Sequence, residues 1–235
     1  MYKFRPLPLI ALLALCMAFV PMLAQAKDMS RDPVGKPIGV SDLTTNDDFI
    51  EYAEVYGIDI HELFFSLRLY EGTRSCLTCH EGLGTEVLDM GHYKWAGNVE
   101  NIVGLEGKTL GKRDLLNNFC VAVPSNEGRC TQCHIGQGWT DASYDFNDPE
   151  LVDCLVCHDQ SGTYAKGKTS GGMPDSAVDL NVVARSVAIG SKPTRKACIG
   201  CHAKAGGGDN VKHGDLSTDL VSTTREYDVH MGTDG

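Results

Sequence analysis

Four copies of Cys-x-x-Cys-His constrain this chain of 235 residues more than any other feature. They are Cys76-Leu77-Thr78-Cys79-His80, Cys130-Thr131-Gln132-Cys133-His134, Cys154-Leu155-Val156-Cys157-His158 and Cys198-Ile199-Gly200-Cys201-His202. The pattern is that of covalent c-type haem attachment: two thiols bond to the haem vinyl groups and the adjacent His becomes an iron ligand. Zinc sites pair two Cys-x-x-Cys elements around one ion and need no His directly after each. Disulfides suit an exported chain, but four short bridges each followed by His would be a coincidence. The expected cofactors are four covalently bound haem c groups, with His80, His134, His158 and His202 on the irons.

The intervals from each His to the next Cys are 49, 19 and 39 residues. That is no fixed period, so a solenoid is excluded. The chain is rich in Gly and poor in aromatics, with little alternation of apolar residues. A conventional hydrophobic core would be thin. The expected fold class is therefore mainly α-helix and coil with little β-sheet, the haems forming the core of a multihaem cytochrome c fold.

Residues 1–26 read as a signal peptide: Lys3 and Arg5 are basic, Leu9 to Leu23 is apolar, and Ala24-Gln25-Ala26 is a small-x-small cleavage site. Cleavage after Ala26 would give an exported, periplasmic protein with no integral membrane span. Leu15 is too large for the position before a lipidated cysteine at Cys16. Losing Lys3 and Arg5 takes the formal charge from −10 to −12, and haem propionates would add to it. Such a surface disfavours nucleic acid and anionic lipid and favours a basic or mixed redox partner, such as a quinol-oxidising cytochrome.

Residues 27–75 form an N-terminal helical segment and residues 76–235 the expected tetrahaem domain. Asn46 or Asp47 can cap a helix carrying Phe49, Ile50, Ala53 and Tyr56, with Gly57 ending it. Asp59 looks like the cap of a second helix, with Ile60, Leu63, Phe64 and Leu67 on one face and His61 off it. Leu83 to Leu110 reads as irregular and Gly-punctuated. Lys112 to Phe119 can form a short helix. Asp175 or Ser176 can cap another, whose apolar face is Leu180, Val183, Ala184 and Val187, and Lys192-Pro193-Thr194 breaks it.

Four further histidines, His61, His92, His213 and His230, are candidates for sixth ligands, since neutral imidazole gives a low-spin iron suited to electron transfer. Cys120 stands outside every motif, ten residues before Cys130. It reads either as a small buried hydrophobe or as a thiol beside a haem, able to hold sulfur. Lys212 reads either as a solvated surface group or as an iron ligand, the second requiring a deprotonated amine.

Several strings then become recognisable together: Asn117-Asn118-Phe119-Cys120, Ser125-Asn126-Glu127-Gly128-Arg129-Cys130, Val152-Asp153-Cys154, Gly206-Gly207-Gly208, Val211-Lys212-His213-Gly214-Asp215-Leu216 and Asp228-Val229-His230-Met231. From about Cys76 to the last residue the chain resembles octahaem cytochromes of the tetrathionate reductase family. The resemblance implies one substrate-binding haem with a lysine ligand, a cysteine and an asparagine nearby, and reduction of tetrathionate, nitrite or hydroxylamine. Here those residues are Lys212, Cys120 and Asn117, around the haem on Cys130 and Cys133. The resemblance also supports His92, His213 and His230 as ligands elsewhere. The family has eight attachment motifs and this chain four, so it looks like the N-terminal half: a fragment, a truncated product or part of a split enzyme. A non-catalytic tetrahaem electron carrier is the alternative. If His134 and Lys212 both held one iron, no face would remain for substrate, so one of them must be absent or labile.

Overall fold

The computed structural model describes residues 40–114, 121–190, 192–205, 207–209, 211 and 216–232. The chain divides into two compact units, Met1–Gly57 and Ile58–Gly235.

In the first unit a 3-10 turn, Val40–Asp42, precedes helix α1, Asn46–Tyr56. Thr45, not Asn46 or Asp47, caps α1. Its hydroxyl accepts from the Asp48 N–H, and the Asp48 carboxylate accepts from the Thr45 N–H in return. This reciprocal box satisfies two orphan donors at once, which a cap one residue later would not do. Gly57 ends the helix in the left-handed conformation, as expected. Phe49, Tyr52 and Ala53 are buried while Ile50 is exposed, so the inward face is rotated from the expected one. The Thr45 and Thr44 backbone hydrogen bonds hold the Asp48 carboxyl down from 3.8 to about 2. A depressed carboxyl stabilises the fold above its unfolded pKa and loses that contribution as pH falls through the folded one. Hydrogen-exchange protection of the α1 amides should therefore hold at pH 5 and decline as pH drops toward 2. Thr45→Ala should cost about 1 kcal/mol of local stability at neutral pH; unchanged protection in that variant would contradict the box.

The second unit carries all four motifs. Helix α2, Ile60–Leu67, is capped by Asp59. Short helices follow: α3, Arg74–Leu77, α4, Leu83–Leu88, and α5, Gly91–Lys94. Strands β1, Gly97–Asn98, and β2, Thr109–Leu110, pair antiparallel with Gly97 opposite Leu110. The stretch expected to be irregular thus holds two helices and a two-stranded sheet, each too short for periodicity to reveal. Next come α6, Glu127–Cys130, α7, Leu155–His158, α8, Leu180–Ser186, and α9, Arg195–His202. Helix α8 is capped by Asp179 rather than Asp175 or Ser176, its carboxylate accepting from the N–H groups of Asn181 and Val182. Of the expected helix from Lys112, residues 112–114 form a turn and 115–119 lie outside the described residues.

Among the described residues of the second unit, buried side chains gather in small clusters beside the motifs. Phe65 of α2 packs with Val183 and Ala184 of α8 and with Leu155 in the third motif. Leu88, Tyr93 and Val152 pack against Cys154. Trp95, Val123 and Trp139 pack against Cys130 and Cys133. Ile199, inside the fourth motif, packs with Ala203 and Leu220. Such scattered burial leaves large side-chain surfaces facing whatever the motifs attach, which is the mainly helical, coil-rich arrangement expected of a chain built around cofactors.

Candidate haem centres

In a helical turn, residues i, i+3 and i+4 share one face. Both thiols and the imidazole of a Cys-x-x-Cys-His therefore point to the same side when the turn continues through the His. It does so in the first motif, where the His80 N–H bonds Cys76 O at 2.9 Å, and in the third, where the His158 N–H bonds Cys154 O at 3.1 Å. In the fourth, α9 runs through Cys198, Cys201 and His202. Cys76, Cys79, Cys133, Cys154, Cys157, Cys198 and Cys201 are all free thiols, so no motif closes a disulfide on itself.

Two sequence-predicted histidines face motif histidines. The rings of His61 and His80 have centres 6.0 Å apart and planes 10° from parallel. Those of His92 and His202 lie 6.1 Å apart with planes at 86°. A metal–imidazole bond is about 2 Å long, and a ring centre lies roughly 1.2 Å beyond its nitrogen, so two ligands trans on one ion stand roughly 6 Å apart. Both pairs have that spacing. His61 is oriented as a ligand should be: its Nδ1 donates to the Asp59 carboxylate at 3.2 Å, which leaves Nε2 for a metal. His92 and His202 line a cavity of about 540 Å³ together with Cys201, Trp95 and the small residues Gly91, Ala96, Gly97 and Gly111. Desolvation, then the neighbouring His61 and His158, lower the His80 pKa.

The second motif is built differently. The His134 N–H bonds Thr131 O rather than Cys130 O, and the backbone at His134 is extended (φ −76°, ψ 136°). The ring is fully buried. Its Nε2 donates to Tyr93 O at 2.6 Å and its Nδ1 accepts from the Gly136 N–H at 3.1 Å. Both nitrogens are thereby used. Tyr93, Trp95, Trp139, Tyr144 and Phe146 surround the ring, with centres 4.9–6.0 Å away. Burial lowers its pKa to about 4, so the imidazole stays neutral at ordinary pH.

Beside Cys130 and Cys133 lies a larger cavity of about 680 Å³. Lys112, Arg129, Lys166, Lys196 and Lys204 line it against the single carboxylate of Asp159. In a chain of net charge −10 this is a local reversal of sign. Cysteines of different motifs lie close together, Cys133 near Cys201, Cys76 near Cys154 and Cys157 near Cys198. The neighbouring Cys201, then the charges of Lys112, Lys204 and Lys166, pull the Cys133 thiol down.

No protein-family model matches the chain. A protein of Archaeoglobus fulgidus described as uncharacterized is 25% identical over 211 residues, covering 69% of this chain and 70% of that one. The crystal structure of octahaem cytochrome c from Shewanella oneidensis is similar, with 39% identity, a TM-score of 0.62 and 74% of this chain covered. The chain has a multihaem cytochrome c fold. It spans 38% of the length of that octahaem protein.

This cytochrome fold brings His61 and His92 opposite motif histidines, while His230 is exposed in a turn where its N–H bonds the Asp228 carboxylate. Asn117, Cys120, Lys212 and His213 lie outside the described residues. The sequence reading missed Asp59 as the orienting partner of His61, although a cap carboxylate two residues before a histidine is a usable signal. It also missed Tyr93, Gly136 and Lys166 around His134. No local signal marks them, since His80 too is followed two residues later by a glycine. Among the described residues, no helix is long and apolar enough to cross a membrane.

The cavities and ligand spacings fit haem c.

Proposed function

We propose that the chain is a tetrahaem c-type cytochrome unit that carries electrons to a reducing site beside Cys130 and Cys133. The substrate class is a small S- or N-oxide: tetrathionate, nitrite or hydroxylamine. The observation that carries this reading is His134. Its two nitrogens are committed to backbone partners, so one iron keeps a face that the other motifs close. Bound haem would supply one-electron transfer and an iron able to take the substrate.

The protein's own work is binding and positioning. His61 with His80, and His92 with His202, would hold their irons on both sides, as relays need. Cys133 lies near Cys201 and Cys76 near Cys154, so groups attached to different motifs would lie close together, which favours fast transfer between them. Lys112, Arg129, Lys196 and Lys204 make a positive lining that draws an anion such as tetrathionate or nitrite. Two electrons cleave the central S–S bond of tetrathionate and release two thiosulfates. Lys212 is proposed as the remaining axial ligand at this site, Cys120 as the group that positions sulfur, and Asn117 as a hydrogen-bond donor to substrate. His158 is proposed as ligand to the haem on Cys154 and Cys157, with His213 or His230 opposite. An exported, periplasmic setting and a quinol-oxidising cytochrome as electron donor complete the proposal.

A carrier without catalysis is the second reading, favoured by the 38% coverage of the octahaem relative. A reduced-dye assay separates the two. Purified protein should oxidise the dye when tetrathionate, nitrite or hydroxylamine is added, and Lys212→Leu should lower that rate at least tenfold. Dye reoxidation that ignores all three compounds would leave the carrier.

A further inference from the structure

We infer that Lys166 is a positioning residue whose ammonium clamps the loop after Cys133 and so keeps His134 away from the iron. The inference rests on the proposed open face at the Cys130 and Cys133 haem and adds the device that maintains it. Lys166 Nζ donates to His134 O, and to Gly136 O at 3.0 Å. These two carbonyls belong to the peptides that follow His134 and Gly136, so one ammonium fixes both. Asp153 Oδ2 lies 3.4 Å from the same nitrogen, and the two side chains are only 4% and 0% exposed. Asp153 also accepts from the Tyr164 hydroxyl and from the Val156 N–H. A buried ammonium that is paired and hydrogen-bonded in this way is costly to displace. The loop is further tied to the third motif, the Asp153 N–H bonding Ile135 O and the Gln137 N–H bonding Leu151 O, each at 2.8 Å.

For His134 to join the thiol face, its N–H would have to move from Thr131 O to Cys130 O, the bond that His80 and His158 make in their own motifs. That shift would draw the His134 carbonyl off Lys166. Gly136 supplies the second half of the device. A Cβ there would lie 2.6 Å from Cε1 and 2.8 Å from Nδ1 of His134, and 2.4 Å from the Tyr144 hydroxyl. The parked ring occupies space that only glycine leaves open.

A mere structural brace would predict loss of stability on replacing Lys166 but no change in which residue meets the iron. The test uses the full, haem-loaded protein and reads iron spin state and the cyanide-induced Soret shift. Wild type should show one cyanide-responsive haem. Lys166→Met should lower that response at least tenfold, with the corresponding high-spin signal becoming low-spin while the pyridine haemochrome still counts four haems. Gly136→Ala, which evicts the ring without touching the buried ion pair, should do the same. Adding His134→Ala to either variant should restore the response. An open wild type with unchanged Lys166→Met and Gly136→Ala proteins overturns the clamp alone, as does a loss that persists without His134. A wild type whose haems all ignore cyanide overturns the functional reading itself, and the clamp with it.

Discussion

The His92→Ala protein should keep every covalently attached haem and gain one high-spin iron. The thiols of Cys198 and Cys201 are untouched by the change, so attachment persists. His202 alone then holds the iron, and water is a much weaker sixth ligand than imidazole. Spectroscopy can assign the loss to this pair because the two ligand geometries differ. His61 and His80 are near-parallel, at 10°, whereas His92 and His202 stand at 86°. Parallel imidazole planes split the two iron d-orbitals that interact with the rings and give a rhombic ferric signal. Perpendicular planes leave those orbitals nearly degenerate and give a strongly anisotropic one. His92→Ala should remove the anisotropic low-spin signal and His61→Ala the rhombic one, and added imidazole should reverse each change. Unchanged spectra after His92→Ala would remove this histidine from the ligand set.

Trp139→Ala should be the most destabilising single replacement in the described part of the second unit. Trp139 is buried beside Trp95, Tyr144 and Phe146, with its ring centre 4.9 Å from that of His134. Its backbone is fixed as well, the N–H bonding Gly171 O at 2.9 Å and the carbonyl accepting from the Thr131 hydroxyl at 3.4 Å. Truncating a buried Trp costs about 3–5 kcal/mol, because the lost burial and the residual cavity add. Against a total stability of about 5–15 kcal/mol for a domain, that is a large share. Urea midpoints compared at equal haem content would measure it, and a change equivalent to less than about 1 kcal/mol would show that the aromatic cluster is not a structural centre. The variant should also loosen His134, since the cage round its ring is opened.

The turns of the first, third and fourth motifs, the stop of α1 and the cap of α2 were legible from residues because their causes are local. Cys and His at i, i+3 and i+4 share a face wherever the helical turn continues through the His, and Asp59 and Gly57 cap and stop helices by their own chemistry. The α1 cap was off by one or two residues because Thr45 gains from a reciprocal partner, Asp48, that a list of good caps does not weigh. His61 and His92 were identifiable as candidates but not as partners of His80 and His202, since pairing depends on how α2, α5 and α9 are brought together. His134 was the least legible. Its motif reads like the other three, and its contacts come from Lys166, itself paired with Asp153, and from the Tyr93 carbonyl, which lie on distant stretches of chain. The residues expected to complete the site, Asn117, Cys120, Lys212 and His213, lie outside the described residues, and their roles rest on the family resemblance.

Cyanide titration of the oxidised wild-type protein, followed by electron paramagnetic resonance with spin integration, reaches the central claim most directly. The prediction is four haems per chain, of which one responds to cyanide and the other three remain low-spin and unchanged. Four low-spin haems that all ignore cyanide, or fewer than four attached haems, would contradict it.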